Sequence, residues 1–174
     1  MISALLDEDV PWAVVTVWQV DERVAPDGDE ARNANQLVVL PCRVRRMPVA
    51  ARDLRRAARE YGASLPSRLD VVHLGLGSDG HTASWPPGDA GPVNSTRSVE
   101  LVDDFNGFPR MTLTRRVVNG ARSRAVLAAG VGKREMVGRW FLDDRSLPIS
   151  SVRSSGTWVF IDPAAAPDGT VVNR

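Results

Sequence analysis

The apolar positions of the chain fall into two spacings, and the spacings predict its elements. Compact apolar runs at 12–20, 69–76, 124–129 and 157–161, with the shorter Met111-Thr-Leu-Thr114, read as strands. The run Leu69 to Leu76 has the length and β-branched content of a strand buried on both faces, and Trp12 to Val20 reads as a buried strand leading into Asp21-Glu22-Arg23. Helical spacing appears at 49–63, where Leu54, Ala57, Ala58 and Tyr61 share one side and Arg52, Arg55, Arg56 and Arg59 lie elsewhere. Residues 2–7 read as the last turns of a helix, Val117 to Ala121 as a helical turn, and Gly130 to Leu142 as a helix opened by a Gly-x-Gly turn. Between these elements, Val24 to Pro48 is irregular, with a turn at Pro26-Asp-Gly-Asp29, and predicts a loop with a short helix. Asp89 to Pro109 is rich in turn formers and is expected to cross the top of the sheet as a lid, and the residues from about Pro163 read as a loose tail. Strands alternating with helices predict one α/β domain over residues 1–174, a Rossmann-like three-layer α/β/α sandwich around a mostly parallel sheet.

The run at 69–76 ends abruptly in glycines and polar side chains, Gly75-Leu-Gly-Ser-Asp-Gly-His81, where ligands bind beyond the carboxyl ends of strands in open α/β sheets. The spacing Gly75-x-Gly77-x-x-Gly80 matches the dinucleotide-binding fingerprint, with Glu100 about 20 positions on. That fingerprint needs a long helix after its third glycine, and Pro86-Pro-Gly88 stops any helix after about one turn.

Composition narrows the classes further. The 174 residues are 43% hydrophobic and 25% charged, with a net charge of +1, ordinary for a soluble globular domain and no signature of nucleic acid or an anionic membrane as partner. The arginines of the helix at 49–63 invite a nucleic-acid reading, but no recognition motif or aromatic stacking platform accompanies them. Cys42 is the single cysteine, so no internal disulfide and no cysteine-built metal site can form. No apolar run reaches membrane-spanning length and the acidic start is no secretory signal, so the expected location is the cytoplasm and no cofactor or metal is expected.

The stretch Leu74-Gly-Leu-Gly-Ser-Asp-Gly-His-Thr-Ala-Ser-Trp-Pro-Pro-Gly-Asp89 resembles, without a gap, the signature LGxGxDGHTASLFPGD of the 6-phosphogluconolactonases, departing at Trp85 and Pro86. Trp12 to Arg23 is similar to the family's W-x-x-V-x-x-F-x-x-DER segment, and Pro109-Arg-Met-Thr-Leu-Thr114 with Asn119 and Ala121 to its P-x-R-[IM]-T-L-T…N-x-A. Arg32-Asn33 stands where the family usually has Ser-Asn. The resemblance implies hydrolysis of 6-phospho-D-glucono-1,5-lactone to 6-phosphogluconate in the oxidative pentose phosphate pathway, on the three-layer fold above. It also implies a preceding strand, a phosphate-binding loop resembling G-G-S-T-P and a helix, to which nothing after Met1 corresponds. An N-terminally shortened domain would leave an unpaired sheet edge for a second copy of the chain to cover, and a non-catalytic sugar-phosphate-binding module is the alternative reading.

Within the resemblance, His81 is the base that takes a proton from water attacking the lactone, and Asp79 orients its ring. His73, inside the apolar strand, reads as a core residue. Asp21 would hold substrate hydroxyls, and Gly77 and Gly80 would supply backbone freedom and N–H groups for the developing oxyanion. The substrate phosphate calls for cations, and Arg23, Arg110 and Lys133 stand at strand or loop ends; Lys133, the one lysine, opens a helix where phosphate is electrostatically welcome. Glucosamine-6-phosphate deaminase, the related competitor, carries a glutamate five residues after the histidine and typically Asp-Glu-Tyr in its first acidic loop. This chain has Pro86 and Asp21-Glu22-Arg23 there.

Overall fold

A computed structural model describes residues 2–169. In chain order the elements are α1 (Ile2–Leu5), β1 (Thr16–Trp18), β2 (Asp21–Arg23), β3 (Arg43–Arg45), α2 (Leu54–Ser64), β4 (Val71–Gly75), α3 (Gly91–Asn94), β5 (Val99–Phe105), β6 (Phe108–Leu113), α4 (Arg115–Gly120), β7 (Ser123–Ala128), α5 (Arg134–Phe141) and β8 (Thr157–Ile161). The chain is α/β with mostly parallel sheets: β1 and β3 pair in parallel, β4-β7-β8 form a parallel sheet, and β2-β6-β5 form an antiparallel one. The core joins Val72, Leu74 and Leu76 at and beyond β4 to Met111 and Leu113 of β6, Val126 of β7, Val137 of α5 and Ala57, Ala58 and Tyr61 of α2. Helix α2 starts at Leu54, later than its apolar spacing suggests, because the Asp53 carboxylate caps it by accepting from the Arg56 N–H.

Several expectations need correction. The stretch 12–20 is not one buried strand: a 3-10 turn spans Trp12–Val14, β1 is three residues long and partly exposed, and Asp21-Glu22-Arg23 is itself a strand paired with β6. The irregular segment 24–48 contains, besides a 3-10 turn at Asn33–Leu37, the unexpected strand β3. The stretch 89–109 is no lid; after the short α3 it builds β5 and the hairpin to β6. The tail is held through its first residues, since Ala165 is fully buried, its N–H donates to Asp162 and the Ala164 carbonyl accepts from Arg134; residues 170–174 lie outside the described residues.

Strand β4 is buried on one face only. Val72 and Leu74 point into the core, while Val71 and His73 are exposed, in the same layer as Trp158 and Phe160 of β8, which are 64% and 55% exposed. His73 is therefore a surface residue, not a core one. Among the described residues β4 pairs only with β7, so the sheet keeps an open edge.

Glu22 pins β2. Its fully buried carboxylate accepts from Gln19 Nε2 (2.8 Å) and from the N–H groups of Arg23, Asn33 and Ala34 (2.9, 2.7 and 2.8 Å), and lies 3.2 Å from Arg32 Nε. Burial would raise its pKa, but these hydrogen bonds outweigh burial and hold it below the ordinary glutamate value. A carboxyl depressed in the folded state contributes stability above its unfolded-state pKa and loses it as pH falls through the folded value. Glu22→Gln should therefore cost about 3 kcal/mol near neutrality, where it leaves the buried Arg32 with only the exposed Asp27, 3.0 Å from its Nη1, as counter-charge. Denaturant melts at pH 7 and pH 4 check this, the gap between the proteins narrowing at the lower pH; a gap that widens in acid refutes the assignment.

Candidate active site

The site lies where the loop after β4 meets the β2–β6 pair. Its loop is closed by its own backbone: the Gly77 N–H donates to the His81 carbonyl (2.8 Å), the Gly80 N–H to the Gly77 carbonyl (3.1 Å), and Thr82 Oγ1 to the Gly75 carbonyl (2.8 Å). Gly80 takes a φ of +85°, and Leu147 packs where a Cβ would stand. No helix starts directly after Gly80: Ala83 adopts a φ of 48°, and Thr82 and Trp85 form a bridge. Three further bonds tie the loop to the antiparallel sheet. The Ser84 N–H donates to Thr112 Oγ1 (3.2 Å), Ser84 Oγ to Asp21 Oδ2 (2.7 Å), and Trp85 Nε1 to the Leu113 carbonyl (2.8 Å). Trp85 is fully buried in the core, so it supports the loop from below instead of narrowing its mouth.

The loop presents a histidine–carboxylate pair. His81 Nδ1 lies 2.5 Å from Asp79 Oδ1, and the His81 N–H also donates to that oxygen (3.1 Å). These bonds outweigh the opposing effect of burial and keep the Asp79 pKa below the ordinary aspartate value. A carboxylate only accepts, so the proton between the two belongs to Nδ1, and in the neutral ring Nε2 carries the lone pair. No described hydrogen bond uses Nε2.

Around the pair stand groups from β2, β5 and β6. Asp21 faces Thr112 across the β2–β6 ladder; burial pushes its carboxyl above the ordinary range, against the Ser84 hydroxyl and the Arg110 guanidinium. Arg23 and Arg110 are direct cross-strand partners. Phe105, at the end of β5, packs edge-to-face on the His81 ring with 4.8 Å between centroids.

The structure thus gathers His81, Asp79, Asp21, Arg110 and Arg23 into one region, with Gly77 and Gly80 in the loop beneath. The two glycine N–H groups are spent inside the loop and are not free for an oxyanion; Gly77 instead provides the space in which the Asp79–His81 pair lies. Lys133 sits at the end of a 3-10 turn ahead of α5, and no described hydrogen bond or ion pair links its side chain to the other site residues. Ser84 and Phe105 escaped the sequence reading. Ser84 was hidden inside the signature, whereas Asn106-Gly107 is a hairpin signal that could have placed Phe105. Among the described residues no group of three or more His, Cys, Asp or Glu side chains could hold a metal ion, and no helix is long and apolar enough to cross a membrane.

Comparison with known proteins gives the same region a context. Residues 1–160 match the family model of glucosamine-6-phosphate isomerases/6-phosphogluconolactonase. The 6-phosphogluconolactonase of Synechocystis sp. is 30% identical over 182 residues, covering 92% of this chain and 75% of that protein. The GDH/6PGL endoplasmic bifunctional protein of Homo sapiens is 32% identical over 164 residues, covering 82% of this chain; the chain spans only 21% of that longer protein. In fold, the crystal structure of the Thermotoga maritima 6-phosphogluconolactonase superposes with a TM-score of 0.82 at 24% identity, covering 92% of this chain and 78% of that one.

Proposed function

The chain belongs to the family of glucosamine-6-phosphate isomerases and 6-phosphogluconolactonases, and on that premise we propose that it hydrolyses 6-phospho-D-glucono-1,5-lactone to 6-phosphogluconate in the pentose phosphate pathway, with His81 as the base. The observation that carries the mechanism is the Asp79–His81 pair, which leaves Nε2 as the acceptor. Nε2 takes a proton as water attacks the lactone carbonyl, and Asp79 stabilises the imidazolium that results. Collapse of the tetrahedral intermediate breaks the bond to the ring oxygen, and the imidazolium returns the proton to that leaving oxygen. Asp21, held by Ser84, orients substrate hydroxyls, and Arg110 and Arg23 take the phosphate. Lys133 is the third cation of this reading, supported by its place at a turn opening toward α5. Pro86 occupies the position five residues past His81, and lactone hydrolysis needs no carboxylate there.

A second copy of the chain is the partner best suited to the open β4 edge and the layer carrying Val71, Trp158 and Phe160, since parallel sheets are ordinarily covered on both faces. Light scattering of the purified protein should return twice the chain mass, and a monomer at tens of micromolar would remove this partner. The lone Cys42, free and partly buried, is compatible with a cytoplasmic setting. The function itself is tested with freshly generated lactone and the 174-residue protein, spontaneous hydrolysis subtracted. A rate equal to the blank would leave the alternative, a module that binds sugar phosphates without turnover.

A further inference from the structure

We propose that the hairpin tip Phe105-Asn106-Gly107-Phe108 is the element that positions the substrate phosphate, each of its two rings seating one of two adjacent arginines and one ring coupling that seat to the imidazole. The inference rests on the reading of the site above and goes beyond it in naming how the anion is held.

Arg23 and Arg110 are opposed in the β2–β6 ladder, an arrangement in which like charges repel. Arg110 is only 5% exposed, yet among the described ion pairs neither arginine has a carboxylate partner. Buried cations are normally paired, so the buried Arg110 with the half-buried Arg23 beside it calls for a doubly charged anion between them. Both are fixed in advance by the hairpin and its surroundings. The Arg110 guanidinium carbon lies 5.2 Å from the centre of the Phe105 ring, while Nε and Nη2 donate to the Phe105 carbonyl at 3.1 and 2.8 Å. The Arg23 guanidinium carbon lies 5.9 Å from the centre of the Phe108 ring, and its Nη1 donates to the Ala31 carbonyl. These ring contacts hold a guanidinium without neutralising it.

The turn sets the spacing of the two rings. Phe105 and Phe108 are cross-strand partners, and Asn106 and Gly107 both take positive φ (55° and 80°), as a two-residue primed turn requires. The pairing of β5 with β6 shifts register between Val102 and Phe105, so the tip is set by its own turn and not by the ladder behind it. The same Phe105 ring meets His81 edge-to-face. A phosphate monoester dianion seated on the two arginines is thereby placed at a fixed reach from Nε2, which selects substrates carrying phosphate at one distance from the lactone carbonyl. Phe105 and Phe108 are positioning residues, acting through Arg110, Arg23 and His81.

Inorganic phosphate is the probe, read through the ring-proton resonances of the chain's two histidines, with His73 on the exposed sheet face as internal reference. Phosphate should shift the His81 signals of the parent protein and leave those of His73 in place. Phe105→Leu should weaken the phosphate midpoint at least tenfold and abolish the His81 response, whereas Phe105→Tyr should retain both. In turnover, Phe105→Leu should raise KM about tenfold and lower kcat severalfold, while Phe108→Leu, remote from the imidazole, should raise KM alone. Parent protein whose His81 signals ignore phosphate, or folded Phe105→Leu and Phe108→Leu proteins with the parent's phosphate midpoint, would overturn the proposal. A phosphate response without lactone turnover would support the seat and sink the hydrolase reading, so the two failures are distinguishable.

Discussion

Replacement of His81 by Gln is expected to lower kcat by about 10²–10⁴-fold, the range over which a positioned general base acts. Glutamine keeps a hydrogen-bonding side chain beside Asp79 but has no lone pair able to take a proton from water near neutrality. KM should change little, because the cations assigned to the phosphate come from β2, β6 and the turn ahead of α5 and not from the loop that carries His81. The division between the two constants is what gives the experiment its force. A loss confined to KM would make His81 a binding residue, and an unchanged kcat would leave the loop without its base. Asp79→Asn should fall between this variant and the parent, since an amide facing Nδ1 no longer compels the tautomer that frees Nε2.

How far the sequence foretold this arrangement depends on the range over which each feature is decided. The apolar faces of α2 and the limits of β8 follow local spacing, and both appear as expected. The chemistry of the loop was readable because Asp79 and His81 are two residues apart, so one tight loop suffices to join them. What was misread is set by distant parts of the chain. The composition of 69–76 is that of a strand covered on both sides, but cover depends on which other elements reach it, and in the described residues one face stays open. Strand β3 has only Val44 between two arginines; it exists because β1 lies alongside, not through any apolar pattern of its own. In 89–109 the prolines and glycines signalled irregularity strongly enough to mask the hairpin turn of Asn106-Gly107. The carboxylate of Glu22 looked like one member of a charged loop-end triplet, whereas its partners Asn33 and Ala34 are 11 and 12 residues away and bring it fully inside.

Substitution of Gly77 by Ala should damage catalysis nearly as severely as loss of the base, without touching any reacting group. A Cβ at this position would come within 2.6 Å of Asp79 Oδ1 and closer still to the His81 ring. The backbone cannot readily retreat, because the Gly77 N–H and carbonyl are both engaged inside the loop, with His81 and Gly80. The side chains must therefore separate, and a displacement of about 1 Å at a catalytic pair can cost about 10²-fold in rate. The loss should fall on kcat, with the midpoint for inorganic phosphate close to that of the parent. Gly75→Ala is the matched control: it lies two residues earlier, a Cβ there meets nothing within 4 Å, and turnover should stay near the parent level. Side-by-side kinetics and thermal melts of the two variants separate a displaced pair from a weakened fold. Equal kcat values for both would mean that the closeness of Asp79 to His81 is not what drives the reaction, and the role of this loop would have to be reassigned to binding.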